Sequence, residues 1–399
     1  MDSVVLYTEE IDDLQEAAKE LFDQAKAFPL KKNSVALLYA EEETDLKALY
    51  ALLSKQWDFP VLGCTAMAML MSNKGYRSIG ISVMLMTGDD VSFSAGISDA
   101  LRRENCESEI ARTYAAVKAQ LPSEEKLIIT FGGMPMEEDH VAGDEAVRAI
   151  EKACGRYVPI FGGLASDGFT CTNACVFCNG ETGAHRQAFL LVAGNISPQV
   201  IEVNSIENRA NFTYKVTESN RNQVFRLGDG TFVEALKHEG IVVKTGTIIN
   251  DYLLSPFILE RSYPNGDTVE VARTLFTLDE ETGSGTFLGS VPEGSILGVG
   301  IINRSDVQNS VEQACDEMVE AISAAPGQYT TLLCMSCCAR FLAMASNTDA
   351  EMDACRGRLP GGMSFLGMYG NGEFCPSRGS RTGEYHNLFH NFTFAMVAL

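Results

Sequence analysis

The sequence predicts a mixed α/β fold in which duplicated strand–helix–strand units form mixed sheets flanked by helices, in two closely packed halves. Three observations predict it. Apolar runs of strand length alternate with segments of helical spacing, the alternation recurs after about 100 residues, and glycines follow several of the runs. At 399 residues, with 46% hydrophobic residues, the chain can bury large cores.

The first round opens with a strand at Ser3–Thr8 and a helix over Asp12–Ala27, where apolar residues recur at helical spacing. A buried strand at Ser34–Ala40 and a helix at Thr44–Lys55 follow. Three strands and a long helix are predicted next: Pro60–Cys64, Ser78–Met86, Val91–Ile97 and Asp99–Leu121.

A second round repeats this pattern, which indicates a domain duplication. The stretch Phe59–Thr65 aligns with Val158–Leu164, where both have an apolar strand running into glycine. Its predicted elements are a strand, a helix and three further strands: Lys126–Phe131, Asp144–Cys154, Pro159–Gly162, Ala174–Phe177 and Gln187–Ala193.

A third, weaker round closes the chain, after an insertion with its own turn signals. In the insertion, strands at Thr268–Leu278 and Thr286–Ser290 fit a hairpin. The third round has strands at Thr331–Met335, Phe365–Met368 and Leu388–Leu399, with a helical segment leading to Arg358. Polarity rises near residues 208–215, so we expect two tightly joined halves, residues 1–210 and 211–399.

Composition excludes several classes of function. A net charge of −22 repels nucleic-acid backbones and anionic lipids, so we expect no nucleic-acid partner. No apolar run reaches the roughly 20 residues that span a bilayer, so we expect no membrane insertion. The first residues, Met1–Val5, do not resemble a signal peptide, so we expect a cytoplasmic protein whose twelve cysteines stay reduced.

Motifs in the first half resemble those of a known family. Pro60–Ala66, an apolar strand ending in Gly-Cys-Thr, is similar to one signature of the FIST N-terminal domain. Val158–Asp167 resembles its second signature, in which a Gly-Gly pair is followed by Ala and Asp.

Motifs of the second half resemble the FIST C-terminal domain in the family's order. They lie at residues 216–235, Ser290–Gly294, Ser336–Arg340, Gly367–Glu373 and Phe389–Thr393. The resemblance implies a FIST N-like half and a FIST C-like half that together form a sensory module for a small ligand, with amino acids proposed as ligands for the group. Relatives often carry kinase, cyclase or methyl-accepting output domains, and this chain has none, so we expect a separate signalling partner.

Two sets of residues beside the strand ends are candidates for binding that ligand. Glycine lets a ligand approach backbone N–H groups, and Gly63, Gly162, Gly163 and Gly370 each follow an apolar strand. An arginine can bind a carboxylate and acidic groups can accept an amino group, which suits a zwitterion. The polar candidates are Cys64, Thr65, Asp167, Cys337, Arg340, Glu373, His390 and Asn391. The competing interpretation is an internal Arg340–Glu373 pair with His390 as a core histidine.

The cysteine clusters support a different class, a metal or iron–sulfur redox protein. Cys171, Cys175 and Cys178 have a spacing known from iron–sulfur sites, and Cys334, Cys337 and Cys338 could complete a zinc site. On a strand, however, Cys178 would point away from the other two. A thiol hydrolase using Cys337 and His390 is a third possibility, although esterase and zinc-protease motifs are absent. The leading interpretation is therefore a non-enzymatic binding module without a cofactor.

Overall fold

Three related units follow one another along the chain, and an insertion interrupts the third. The structure is a computed structural model that describes residues 1–133, 143–241, 243, 245–247, 255–345 and 347–399. Each unit runs strand, helix, strand, helical segment, strand, two hairpin strands and a closing strand. The predicted mixed α/β fold built from repeated units is confirmed.

The first two units are uninterrupted. Unit 1 comprises β1 (Asp2–Thr8), α1 (Leu14–Ala25), β2 (Asn33–Ala40), α2 (Leu46–Leu53), β3 (Val61–Thr65), β4 (Met69–Met71), β5 (Gly75–Arg77) and β6 (Ile81–Gly88). Unit 2 comprises β7 (Val91–Ile97), α3 (Cys106–Lys118), β8 (Glu125–Gly132), α4 (Gly143–Cys154), β9 (Ile160–Leu164), β10 (Val176–Cys178), β11 (Glu181–Gly183) and β12 (Gln187–Gly194).

The third unit is split by the insertion after its first strand, β13 (Gln199–Asn204). The insertion contains β14 (Asn208–Asn220), β15 (Gln223–Leu227), β16 (Gly230–Thr231), α5 (Phe232–His238), β17 (Gly246–Thr247), β18 (Phe257–Ser262), β19 (Thr268–Arg273), β20 (Leu275–Asp279), β21 (Ser284–Phe287) and β22 (Ile296–Ile301). Unit 3 then resumes with α6 (Arg304–Ala324), β23 (Thr331–Cys337), α7 (Cys338–Met344), α8 (Ala350–Arg358), β24 (Ser364–Gly370), β25 (Glu373–Arg378), β26 (Tyr385–His390) and β27 (Thr393–Ala398).

Each unit forms one six-stranded sheet and lends a hairpin to another. The strand orders are β1-β6-β2-β3-β10-β11, β7-β12-β8-β9-β25-β26 and β13-β27-β23-β24-β4-β5. The two central strands are parallel in every sheet. The outer hairpin of each sheet comes from the next unit, and unit 1 supplies the hairpin of the third sheet. The exchange therefore closes a ring of three units.

Strand β2 shows why the central strands read as continuous apolar runs. Val35 and Leu37 point into a core shared by all three sheets. Ala36 and Leu38 point to the opposite face, where they pack with Leu21 and other apolar residues of the unit 1 helices. Because successive side chains face opposite sides, a strand covered on both faces is apolar throughout.

Helix ends follow capping chemistry. The Asp13 carboxylate accepts hydrogen bonds from the backbone N–H groups of Gln15 and Glu16 at the start of α1. Asn303 and Asp306 form a reciprocal capping box at the start of α6. The predicted helix over 99–121 is shorter than expected, Cys106–Lys118, and Asn105 occupies its N-terminal cap position.

The insertion has its own apolar core and its own sheet. The predicted hairpin is confirmed where β20 pairs with β21. It is wrong for β19, which pairs with β18 because Val269 and Val271 pack with Leu259 in the core of the insertion. The proposed boundary between residues 210 and 211 falls inside β14, and the division of the chain there stays a prediction. Across the described ranges, no helix is both long and apolar enough to cross a membrane.

Candidate functional site

The carboxyl ends of β3, β9 and β24 meet, and we call residues Thr65–Met67, Leu164–Ser166 and Tyr369–Asn371 the strand-end ring. The backbone N–H of Ser166 donates to the Thr65 carbonyl at 3.1 Å, and that of Asn371 donates to the Leu164 carbonyl at 3.1 Å. The third link uses the Ser166 hydroxyl, which accepts from the Met67 N–H at 2.9 Å and donates to the Tyr369 carbonyl. The three strand ends do converge, and the N–H groups of Met67, Ser166 and Asn371 donate to oxygen atoms of the strand-end ring.

Three of the predicted glycines, Gly63, Gly162 and Gly163, lie inside strands rather than after them. Gly63 in β3 pairs with Leu38, and Gly162 in β9 pairs with Thr130. They have φ values of +157° and +135°, and a Cβ at either position would overlap the carbonyl oxygen of the paired residue. By the same register the third member is Gly367, opposite Cys334. Grouping Gly370 with them was wrong, because Gly370 lies three residues further along β24, at its end.

Gly163 and Gly370 make room for a methionine side chain. A Cβ on Gly163 would lie 2.6 Å from the Met335 methyl carbon, and one on Gly370 would lie 3.0 Å from it. Beside them the Cys64 thiol lies 3.3 Å from the Met368 sulfur. Core packing therefore accounts for both glycines and for Cys64.

Thr65 and Asp167 fasten the loop that leads to β10. The Thr65 hydroxyl accepts from the Cys175 N–H at 3.0 Å. The Asp167 carboxylate accepts from the N–H groups of Cys171, Thr172 and Asn173 at 2.7 to 2.8 Å. Burial acts to raise the pKa of Asp167, but these N–H groups stabilise the carboxylate more strongly, so its pKa is lowered.

Arg340 is buried on α7 and pairs with Glu351 on α8. The two side chains are both 0% exposed, and the guanidinium approaches the carboxylate at 2.8 Å. Its remaining donors bond to the Ser310 hydroxyl and the Val307 carbonyl of α6. The predicted internal pair with Glu373 is therefore wrong, because α8 folds back to place a carboxylate beside the guanidinium.

Glu373 lies instead against the Cys337 thiol and Thr393. Its Oε2 accepts from the Thr393 hydroxyl at 2.6 Å and from the Thr393 N–H at 3.3 Å, whereas its buried Oε1 makes no hydrogen bond to the described residues. Burial raises the pKa of the Glu373 carboxyl well above its ordinary value of 4.5, and the Cys337 thiol adds to the rise. Burial likewise raises the pKa of the Cys337 thiol well above 9.0, which favours an unreactive thiol.

The raised pKa of Glu373 makes stability depend on pH. The folded state binds this proton more tightly than the unfolded state, so the stabilisation is complete below about pH 4.5 and is lost as pH rises toward the folded-state pKa. We expect Glu373→Gln, which mimics the neutral acid, to raise the urea midpoint at about pH 8 and to flatten its decline from about pH 5. Glu320→Gln, on an exposed face of α6, is the control and should leave the decline unchanged. If the urea midpoint of Glu373→Gln declined with pH as steeply as that of the original chain, the Glu373 carboxyl would not stay protonated in the folded state.

His390 and Asn391 are buried in a separate network at the border with the insertion. His390 Nε2 lies 3.0 Å from the Cys375 carbonyl and 3.2 Å from the Ser377 hydroxyl. Burial lowers the pKa of His390, which agrees with its interpretation as a core histidine. Asn391 accepts from the Thr274 N–H at 3.3 Å. His390 therefore makes its hydrogen bonds to Cys375 and Ser377 rather than to Cys337, its partner in the thiol hydrolase interpretation. Both His390 and Cys337 are buried.

The predicted site residues thus divide among the strand-end ring, the Asp167 loop, the Arg340–Glu351 pair, the Cys337–Glu373 contact and the His390 network. Arg340 and Asp167 belong to separate hydrogen-bond networks. Arg340 pairs with Glu351, whereas Asp167 accepts hydrogen bonds from Thr170 and Cys171. A role of these residues in binding a ligand stays a prediction.

The cysteines do not assemble as the metal interpretation requires. All twelve are free thiols. Cys171 lies near Asn371, whereas Cys175 faces Thr182 and Cys178 ends β10. Cys338 lies 3.2 Å from the Asn371 side-chain oxygen. Among the residues that the structure describes, no three His, Cys, Asp or Glu side chains are placed to hold a metal ion.

An open cleft, which the sequence did not indicate, lies where unit 2 meets the insertion. We call it the α3–α4 cleft. Its volume is about 360 Å³. Its lining is charged almost throughout: Arg103, Glu104, Cys106, Glu107, Glu145, Arg148 and Arg221. Arg221 comes from the β14–β15 turn, and the other residues come from the starts of α3 and α4.

A buried ion pair fixes the insertion to α4 beside this cleft. Asp144 accepts from Arg273 at 3.0 Å and from the Ser290 N–H at 2.7 Å, and Arg261 approaches it at 3.3 Å. Arg273 is fully buried. Burial lowers the pKa of the Arg273 guanidinium, and the Asp144 charge opposes that shift. Asp144 and Arg273 are 129 residues apart, so no local sequence signal could have paired them.

The repeated units and the ordered motifs belong to a chain that two family models match in succession. Residues 34–230 match the FIST N domain and residues 241–376 match the FIST C domain. The chain belongs to the FIST family. FIST domains are generally sensory domains that bind small ligands in signalling proteins.

Other comparisons give distant likenesses. A cyanuric acid hydrolase from A. caulinodans has 8% sequence identity and a TM-score of 0.40, over 99% of this chain and 97% of the hydrolase. A chorismatase has 6% identity and a TM-score of 0.40, over 99% of this chain and 96% of that protein. No curated protein shows a significant sequence match. Likenesses at this level do not identify an activity.

Proposed function

We propose that this protein is an intracellular sensor that binds an amino acid or a similarly small metabolite and signals through a separate protein partner. The observation that carries the proposal is the match to both FIST domains in sequence order, over residues 34–230 and 241–376.

Charge and cysteine chemistry support the remaining parts of the proposal. Twelve free cysteines, ten of them buried, agree with a reducing cytoplasm. The net charge of −22 disfavours nucleic acid as a partner. Burial raises the thiol pKa of Cys64, Cys171 and Cys337, which makes these three thiols poor nucleophiles and favours a binding role for the protein over thiol catalysis.

A thermal-shift screen of the twenty L-amino acids and their small carboxylate analogues tests the proposed ligand class. A ligand that binds only the folded state at about 100 times its dissociation constant stabilises by about 2.7 kcal/mol, so we expect a matching amino acid to raise Tm by about 3–5 °C. Isothermal titration with the same compound should give one saturating site. If no amino acid or carboxylate shifts Tm, the ligand class is rejected.

A further inference from the structure

The α3–α4 cleft carries both signs of charge in a strongly acidic molecule. Its lining has three arginines and three glutamates, so it is formally neutral although the chain has a net charge of −22. Its volume of about 360 Å³ is in the range of small-molecule sites. Neutrality with separate charged groups suits a molecule that itself carries one positive and one negative charge.

The guanidinium groups of Arg148 and Arg221 retain donors for a carboxylate. Arg148 uses Nε for the Asp144 carbonyl at 3.2 Å and Nη2 for the Ser290 hydroxyl at 3.3 Å, so Nη1 has no partner among the described residues. Arg221 approaches Glu145 at 3.3 Å, and its guanidinium makes no hydrogen bond to the described residues. A planar guanidinium with free N–H groups is the preferred partner of a carboxylate.

The carboxylates at the start of α3 supply the opposite charge. Glu104 makes no hydrogen bond or ion pair to the residues described, and Glu107 is paired with Lys152 at 2.5 Å on its outer side. An ammonium group has three donors and needs carboxylate or carbonyl acceptors such as Glu104. The cleft thus offers cationic groups at its border with the insertion and an acidic group on the α3 side.

Two walls of the cleft, α4 and the insertion, are joined without a ligand. The buried Asp144–Arg273 pair joins the insertion to the first turn of α4, one turn before Arg148. A preformed site loses less entropy on binding. A molecule held by Arg148 on α4 and Arg221 on the insertion would also connect unit 2 to the insertion, as a sensor requires of its ligand.

We propose that the α3–α4 cleft is the ligand site of this sensor and takes an α-amino acid, with its carboxylate on Arg148 and Arg221 and its ammonium group on Glu104. The proposal rests on the sensory function given above and adds the site and the charge pattern of the ligand.

The test uses isothermal titration of the full chain with the amino acid that shifts Tm most in the screen. We expect Arg148→Ala and Arg221→Ala each to weaken binding about 10- to 100-fold, the effect of losing a charge-assisted hydrogen bond. Arg112→Ala removes an exposed arginine of α3 that pairs with Asp99 and Glu109, and it should bind within about twofold of the original chain. The unliganded Tm of each variant shows that the fold is retained.

Two analogues of the same amino acid test its charges: the acid without the amino group and the amine without the carboxylate. Both should bind at least about 10-fold more weakly. If the acid without the amino group bound as tightly as the amino acid, the cleft would recognise an anion and the proposed contact of an ammonium group with Glu104 would be wrong. If Arg148→Ala and Arg221→Ala bound the amino acid with full affinity, while Asn391→Ala or Glu373→Gln lost affinity, the ligand site would not be the α3–α4 cleft. The sensory function would still be supported. Failure of every amino acid to bind the original chain would reject the sensory ligand class and this proposal together.

Discussion

Replacing Arg340 by methionine is expected to destabilise the protein by about 3–5 kcal/mol, because it leaves the Glu351 carboxylate buried without its partner. Both side chains are fully buried, and the guanidinium also bonds to Ser310 and to the Val307 carbonyl. One Glu351 oxygen already makes no hydrogen bond to the described residues, so little remains to compensate the charge. The measurement is the urea midpoint at neutral pH.

A double-mutant cycle separates the pair from the packing. Arg340→Met with Glu351→Leu removes both charges, and we expect it to be less destabilised than either single variant, since an apolar pair of similar volume can replace a buried ion pair. The matched surface control is Arg358→Met, which breaks the half-exposed pairs with Glu312 and Asp316 and should cost no more than about 1 kcal/mol. Additive single effects would show that the two groups act independently.

Replacing Gly162 by alanine is expected to cost at least about 3 kcal/mol or to prevent folding, since backbone strain and overlap act together. Its φ of +135° is rarely adopted by residues with a side chain. The new methyl group would also overlap the Thr130 carbonyl oxygen on the paired strand. Moving the backbone inside a sheet to relieve this overlap would break strand hydrogen bonds and core packing.

Gly361→Ala provides the control for the loss of a glycine. A Cβ on Gly361 meets nothing within 4 Å, and its φ is not in the left-handed region, so we expect a change within about 0.5 kcal/mol. Soluble expression and the urea midpoint of both variants are compared. A Gly162→Ala protein as stable as Gly361→Ala would mean that β9 can shift away from β8.

The repeat was predictable because it is written in short stretches of sequence. The Phe59–Thr65 and Val158–Leu164 segments share an apolar run and a glycine, and they occupy equivalent strands. The third member is hard to find in the sequence, because Gly370 ends its strand and resembles a turn glycine. Only the pairing of Cys334 with Gly367 reveals the equivalent position. Register is a long-range property that a single strand does not encode.

The polar contacts were much less predictable than the strands. Arg340 could pair with any carboxylate that the fold brought near it, and the direction in which α8 returns selects Glu351. The α3–α4 cleft draws on residues near positions 104, 146 and 221, which share no local pattern. Hydrophobic periodicity predicts which faces are buried, whereas side-chain pairing depends on how those faces are stacked.

The hairpin exchange has a consequence for synthesis on the ribosome. The third sheet needs β4 and β5 from unit 1, and the second sheet needs β25 and β26, which are made near the end of the chain. The β9 border of the second sheet and the β4–β5 hairpin therefore stay unpaired until unit 3 has been made. Such distant pairing slows folding and leaves strand edges open to aggregation, so we expect chaperone dependence to be greatest while unit 3 is being made.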